Sequence, residues 1–143
     1  MINRTIAILD FGSQFIQLIA RRVRENHVQS LIFAPGVSPE ELARNNVFGI
    51  ILSGGPASTY AAAAPKPHPG IFEMGLPILG ICYGMQVACE QLGAKVSAAP
   101  HREYGRASLD VRGDDPLVRH LPRSTTVWMS HGDSIERVPP GFV

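Results

Sequence analysis

The chain has 143 residues, of which 45% are hydrophobic and 17% are charged, and its formal net charge at pH 7 is +1. This length and composition are those of one globular domain, and the small net charge argues against nucleic acid as a partner. The apolar part of the N-terminus MINRTIAILD is too short for a signal peptide, and no apolar run has membrane-spanning length. We therefore expect one cytoplasmic domain over residues 1–143 that binds neither membranes nor nucleic acid.

Four short apolar segments in the first 81 residues are typical of strands that are buried on both faces, as in parallel sheets. Apolar residues recur at helical spacing over 16–23, and SPEELARNN (38–46) begins with an N-cap serine followed by proline, which favours a second helix. The alternation predicts an α/β fold with a doubly wound, mostly parallel sheet and flanking helices. The four strand segments are TIAILD (5–10), VQSLIFA (28–34), FGIILS (48–53) and LPILGI (76–81).

The composition changes after about Gly93, where loops rich in proline, glycine and charged residues separate three more apolar segments. These segments predict three further strands. A biased stretch, AAAAPKPHPG (61–70), is expected to form a surface loop. The three predicted strands are AKVSAA (94–99), ASLDVR (107–112) and TTVWMS (125–130).

Cys82 lies between two glycines at the end of the fourth predicted strand, in the segment GICYGM (80–85). Helical spacing follows, so the cysteine occupies a strand–turn–helix elbow of the kind that carries the nucleophile in hydrolases. Gly80 and Gly84 would relieve crowding in such a turn, and the helix N-terminus would stabilise a thiolate. The alternative is a structural cysteine whose neighbouring glycines serve packing alone. Cys82 and Cys89 are spaced for neither a disulfide nor a zinc site, and we predict no metal site.

The loop LSGGPAS (52–58) follows the third predicted strand. Neighbouring strands of a parallel sheet present their carboxyl-end loops to one crevice, so this loop should lie close to Cys82. Its glycines leave backbone N–H groups that could bind an oxyanion near the sulfur. An ordinary glycine-rich turn and a phosphate-binding loop are the alternatives, although neither GxGxxG nor GxxxxGK[ST] is present.

The segment VWMSHGDS (127–134) is predicted to be the end of a strand followed by a polar loop. Ser130, Gly132 and Asp133 could hold a zwitterionic ligand there. His131 could serve as a base for Cys82, but a histidine followed by Gly-Asp more commonly shapes a turn, and we favour that interpretation.

Five segments occur in the order and spacing of the glutamine amidotransferase domain of the GMP synthetase family, and the similarity extends over nearly the whole chain. GICYGMQ (80–86) alone resembles class I, triad-type glutamine amidotransferases, which have a flavodoxin-like fold. DFGSQ together with WMSHGD narrows the resemblance to the GMP synthetase branch. The five segments are DFGSQ (10–14), LSGGPAS (52–58), GICYGMQ (80–86), REYG (102–105) and VWMSHGD (127–133).

The resemblance implies that Cys82 attacks the side-chain amide of glutamine and forms a glutamyl thioester with loss of ammonia. The N–H groups of Gly55 and Tyr83 would bind the oxyanion. By the same resemblance, four residues would orient the glutamine: Gln86, Ser130, Gly132 and Asp133.

The same resemblance implies a partner, the ATP-pyrophosphatase domain of GMP synthetase, which uses ATP and Mg²⁺ to aminate XMP; this domain itself would need no cofactor. The family's base and acid lie in a His-x-Glu motif on a later strand, so we expect C-terminal strands outside residues 1–143 and no activity from these residues alone. Three alternatives remain: an amidotransferase of another class I synthase, a non-catalytic docking domain, and a peptidase-like or stress-response relative with the same elbow.

Overall fold

The computed structural model describes residues 4–142, apart from the side chains of residues 100–103, which include two from the REYG segment. Strands and helices alternate through the first two thirds of this range, and two long strands follow. The order is β1 (Thr5–Leu9), α1 (Ile16–Glu25), β2 (Gln29–Phe33), α2 (Pro39–Arg44), β3 (Val47–Leu52), a 3-10 helix (Pro69–Glu73), β4 (Ile78–Gly80), α3 (Tyr83–Gln91), β5 (Lys95–Asp110) and β6 (Ser124–Arg137).

The first four strands form a parallel sheet in the order β2-β1-β3-β4. The predicted α/β fold with a mostly parallel sheet is therefore confirmed. The chain first builds outward from β1 to β2 and then returns to the other side of β1 with β3. Ligands of open α/β sheets bind beyond the carboxyl ends of the strands where the order reverses in this way.

The centre of the sheet is buried on both faces, because three successive residues of β1, Ala7, Ile8 and Leu9, have no exposed surface. Leu52 of β3 and Val87 of α3 belong to the same core and are equally buried. This burial explains why the strand segments are almost continuously apolar instead of alternating.

The two predicted helices before β3 both form, and each has the local chemistry that the sequence indicates. In α2 the Ser38 side chain accepts a hydrogen bond from the Glu41 N–H at 3.2 Å, which satisfies one of the free donors of the first turn. In α1 Ala20 is buried, whereas Arg21 and Arg22 pair with Glu25 on the solvent side. The arginines of α1 thus form a solvated face.

The C-terminal part differs from the prediction of three strands separated by loops. Most of AKVSAA and the first four residues of ASLDVR belong to one strand, β5, which pairs with β6 as an antiparallel ribbon. The register shifts between Ala98 and Glu103, so the stretch that contains Pro100 is absorbed as a bulge and not as a loop. The predicted polar loop after TTVWMS was also wrong, because β6 continues to Arg137.

Within residues 4–142, no helix is both long enough and apolar enough to cross a membrane.

Candidate active site

Cys82 occupies the turn between β4 and α3 in an unusual backbone conformation, with φ 48° and ψ −114°. L-residues rarely adopt a positive φ, and such strain is concentrated at functional sites. Hydrogen bonds from Ile81 N to Leu52 O at 3.0 Å and from Gln86 N to Cys82 O at 3.0 Å hold the turn on both sides. The predicted strand–turn–helix elbow is therefore present, with a partly buried thiol at its apex.

The glycines on either side of the elbow allow its backbone to pack closely. A Cβ built on Gly80 would lie 2.5 Å from Met85 Cα, and one built on Gly84 would lie 2.3 Å from the Leu52 carbonyl oxygen. Real Cβ atoms do not approach other atoms this closely, so any larger residue would force the backbone apart. The predicted role of both glycines in relieving crowding is confirmed.

The helix that follows the elbow gives Cys82 a favourable electrostatic setting for a negative charge. Cys82 is the N-cap of α3, and Tyr83 is the first residue of that helix. The first N–H groups of a helix have no intrahelical acceptor, and the helix dipole adds partial positive charge at this end. Negative charge that develops on a ligand atom bound beside Cys82 would be stabilised there.

The loop after β3 lies directly against the elbow, as the parallel sheet predicts. A Cβ built on Gly54 would be in ordinary contact with Cys82 Cβ, at 3.5 Å. At Gly55 a Cβ would lie 2.2 Å from the Phe11 carbonyl oxygen, so this residue is also packed against the loop after β1. The buried Ser53 joins the two loops, because its Oγ accepts from Phe11 N at 3.0 Å and donates to Gly54 O at 2.9 Å.

These loops surround a cavity of about 700 Å³ at the carboxyl end of the sheet, and β5 and β6 supply its far wall. Every residue predicted for the site lies on the cavity wall, although these residues come from three separate parts of the chain. They are Gly55, Cys82, Tyr83, Gln86, Ser130, Gly132 and Asp133. The DFGSQ segment also contributes to the wall, through residues 12–14.

Asp133 is fixed in this cavity by two neighbours. Gln86 Nε2 donates to the Asp133 main-chain oxygen at 3.1 Å, and the Tyr60 hydroxyl donates to Asp133 Oδ1 at 3.0 Å. Asp133 is 5% exposed, so its carboxylate is nearly withdrawn from solvent. The prediction missed Tyr60, whose one sequence signal is its position five residues after Gly55 in the loop that faces the crevice.

His131 also lines the cavity, but it does so from inside β6 and not from a loop. Its backbone pairs in register with Glu103 of β5. The favoured interpretation of His131 as a turn residue was therefore wrong, because the polar sequence HGDS continues the antiparallel ribbon instead of leaving it.

The two cysteines have different environments, and both are free thiols. Burial raises the pKa of the Cys89 thiol above its ordinary value, because a thiolate there would lose contact with water. Cys89 lies inside α3, while Cys82 precedes it and faces the cavity. Cys82 is thus the thiol that the fold presents to a ligand. Among the described residues, no group of three His, Cys, Asp or Glu side chains could hold a metal ion.

The fold and this site define a class I glutamine amidotransferase: residues 7–143 match the family described as glutamine amidotransferase class-I, and the chain belongs to that family. Among curated relatives, it is 51% identical to GMP synthase [glutamine-hydrolyzing] of Thermobifida fusca over 138 residues, 96% of this chain and 26% of that protein. It is 53% identical to the protein of the same name from Caldanaerobacter subterraneus over 140 residues, 98% of this chain and 27% of that protein. The chain thus spans about a quarter of the length of these relatives.

Solved structures of several proteins also resemble the chain. A Thermoplasma acidophilum protein described as part of a GMP synthase is 30% identical with a TM-score of 0.82, over 95% of this chain and 68% of that one. A glutamine amidotransferase from Thermotoga maritima is 24% identical with a TM-score of 0.71, over 98% of this chain and 64% of that one, and it shows the fold alone. The resemblance to the GMP synthetase branch of class I amidotransferases, and its flavodoxin-like fold, are confirmed.

Proposed function

We propose that this chain hydrolyses L-glutamine through a thioester on Cys82 and supplies the ammonia for the ATP-dependent amination of XMP to GMP. The observation that carries the proposal is the positive φ of Cys82 on an elbow that faces the cavity, with the Gly54–Gly55 loop in contact with it. Such an elbow presents a nucleophile and places two sets of backbone donors beside it.

In the first step the Cys82 sulfur attacks the side-chain amide carbon of glutamine and the carbonyl oxygen becomes an oxyanion. The N–H groups of Gly55 and Tyr83 bind this oxyanion, since both residues line the cavity beside the sulfur. The C–N bond then breaks, and the nitrogen takes a proton and leaves as ammonia. Water attacks the resulting thioester, which releases glutamate and restores the thiol.

The other end of the substrate binds along β6. The nearly buried Asp133 carboxylate suits the α-ammonium group, and Gln86 holds the Asp133 main chain in place. Ser130 and Gly132 present polar groups to the same cavity and suit the α-carboxylate. A zwitterionic amino acid is therefore a better ligand for this cavity than an uncharged amide or an internal peptide residue.

The general base and its orienting acid come from a His-x-Glu motif on a strand after β6, outside residues 1–143. This part of the proposal is supported by the length of the Thermoplasma relative, of which the matched region is 68%. The letters His-x-Glu also occur at residues 101–103, but these lie within β5 and not on a later strand. Residues 1–143 alone would accordingly not turn over glutamine. Steady turnover by these residues that is lost in His131→Ala would identify His131 as the base instead.

The ammonia acceptor is the ATP-pyrophosphatase part of a GMP synthetase, in the same polypeptide or in a separate one. Relatives that are about half identical bear the name GMP synthase [glutamine-hydrolyzing], and the matched region is about a quarter of them. ATP and Mg²⁺ would bind in that part, because the present sequence has neither common phosphate-binding glycine motif. The cytoplasm, where purine nucleotides are made, is the proposed location.

The decisive experiment is Cys82→Ala in the complete gene product, with GMP formation from XMP measured once with glutamine and once with ammonium salt. We expect glutamine-dependent synthesis to disappear and ammonium-dependent synthesis to remain, because the thiol only releases ammonia. Cys89→Ala is the matched control and should retain both activities.

Equal loss with both nitrogen donors in Cys82→Ala would contradict the proposed role of the thiol. Wild-type protein that makes GMP from ammonium but releases no ammonia from glutamine would favour the docking-domain alternative.

A further inference from the structure

We infer that Tyr60 is a positioning residue that sets the selectivity of the site for the α-ammonium group of its substrate. The inference rests on the proposed function, because it concerns the same cavity and the same ligand. Its starting point is the hydrogen bond from the Tyr60 hydroxyl to Asp133 Oδ1 at 3.0 Å, which joins two residues 73 positions apart.

This hydrogen bond determines which oxygen of the Asp133 carboxylate can bind a ligand. A carboxylate has two oxygens with about four acceptor sites, and a tyrosine hydroxyl has one proton to donate. Because Tyr60 donates to Oδ1, the group cannot rotate freely, and Oδ2 is left to accept from a ligand. The main chain of Asp133 is meanwhile held by Gln86 Nε2 at 3.1 Å, so both halves of the residue are fixed.

The position of the Tyr60 hydroxyl is in turn fixed by the loop that carries it. Thr59 is 2% exposed and anchors the loop in the core, and Ala61 N donates to Ser58 O at 3.0 Å across the turn. Farther along, the Tyr83 hydroxyl donates to Pro65 O at 2.6 Å and ties the loop to α3. The Tyr60 hydroxyl therefore reaches Asp133 from a turn whose backbone is held in place by hydrogen bonds.

The loop also joins the two ends of the substrate site. Gly55, whose N–H is proposed to bind the oxyanion, lies in the same loop five residues before Tyr60. Tyr60 is 60% exposed, whereas Asp133 is 5% exposed, so the ring reaches from the cavity mouth to a nearly buried carboxylate. One segment thus sets both the position of the reacting amide and the position of the ammonium site.

The test compares two substrates in Tyr60→Phe made in the complete gene product. One is L-glutamine, and the other is 4-carbamoylbutanoate, which is glutamine without its α-amino group. We expect kcat/KM for ammonia release from L-glutamine to fall about tenfold, mainly through KM, as befits the loss of one hydrogen bond to a charged group. The value for 4-carbamoylbutanoate should not change, since this substrate has no ammonium group to position.

Two further variants separate positioning from a structural effect. Ser108→Ala removes an exposed hydroxyl from β5 that does not line the cavity, and it should leave the preference ratio for the two substrates unchanged. In an Asp133→Asn background, Tyr60→Phe should cause no further change in the ratio, because residues that act through one group are not additive.

An unchanged ratio in Tyr60→Phe would overturn this inference and leave the proposed function intact. If the ratio stays unchanged because both substrates lose activity equally, the ring only supports the loop. Wild-type protein that releases no ammonia from glutamine would overturn the proposed function and the inference together.

Discussion

Gly84 at the start of α3 lies against the Leu52 carbonyl group at the end of β3, so closely that a Cβ on Gly84 would stand 2.3 Å from the Leu52 oxygen. The same Cβ would lie 2.6 Å from the Ser53 oxygen. All the atoms involved belong to the main chain and cannot turn aside as a flexible side chain can. Because residue 84 has no methyl group, α3 can approach β3 closely enough to form the cysteine elbow.

Gly84→Ala is expected to lower the free energy of unfolding by about 1–3 kcal/mol, the usual cost of forcing an extra carbon into a packed site. Urea unfolding measures the loss. Gly36→Ala is the matched control, because nothing lies within 4 Å of a Cβ at Gly36, and it should change stability by less than about 0.5 kcal/mol. Similar stabilities for the two variants would show that α3 can move away from β3 without cost.

Ser53→Ala is expected to destabilise the fold by about 1–3 kcal/mol, because the buried Phe11 N–H would lose its acceptor. The variant should also lower turnover, since Ser53 connects the loops on which Phe11 and Gly55 lie. Ser108→Ala removes an exposed hydroxyl that contacts Ser124 and should be nearly neutral in the same urea experiment. If both variants unfold like the wild type, the hydrogen bond to Phe11 does not contribute to stability.

The two thiols should react at different rates with iodoacetamide near pH 8, as followed by peptide mass spectrometry. Because burial raises the pKa of Cys89, its thiolate fraction at a given pH is smaller than that of an ordinary cysteine, and its labelling should accelerate only at higher pH. Cys82, at the helix N-terminus and on the cavity wall, should be labelled first. In urea-unfolded protein the difference should vanish; faster labelling of Cys89 in the folded protein would contradict this order.

The parallel sheet could be predicted from sequence because its central strands are buried on both faces. The run Ala7, Ile8, Leu9 has no polar residue to interrupt it, and all three are fully buried. The β5–β6 ribbon could not be predicted in this way. In the first seven residues of β6, exposed and half-buried residues alternate, and Trp128 is 76% exposed, so burial imposes no continuous apolar pattern there.

The site could be predicted where its function depends on local backbone geometry, and not where it depends on a distant contact. Glycines beside Cys82 indicated the elbow because such turns need small residues at fixed offsets. The contact between Tyr60 and Asp133 depends on a loop and a ribbon meeting across the cavity, and no local pattern encodes that distance. His131 was misplaced for the same reason, because its polar neighbours are typical of a turn yet pair in a ribbon.

The backbone conformation that presents the Cys82 thiol to the cavity also lowers the stability of the fold. Its φ of 48° costs of order 1–3 kcal/mol for an L-residue, a strain that glycine does not have. We expect Cys82→Gly to be more stable than Cys82→Ala by about 1 kcal/mol, while at Cys89, inside α3, the order should reverse because glycine weakens a helix. Thermal or urea unfolding of the four variants measures both differences, and the same order at both cysteines would show that the elbow is unstrained. A screen for thermal stability alone would thus favour replacing Cys82, the proposed nucleophile, which is the trade-off expected where a reactive group and a strained main chain coincide.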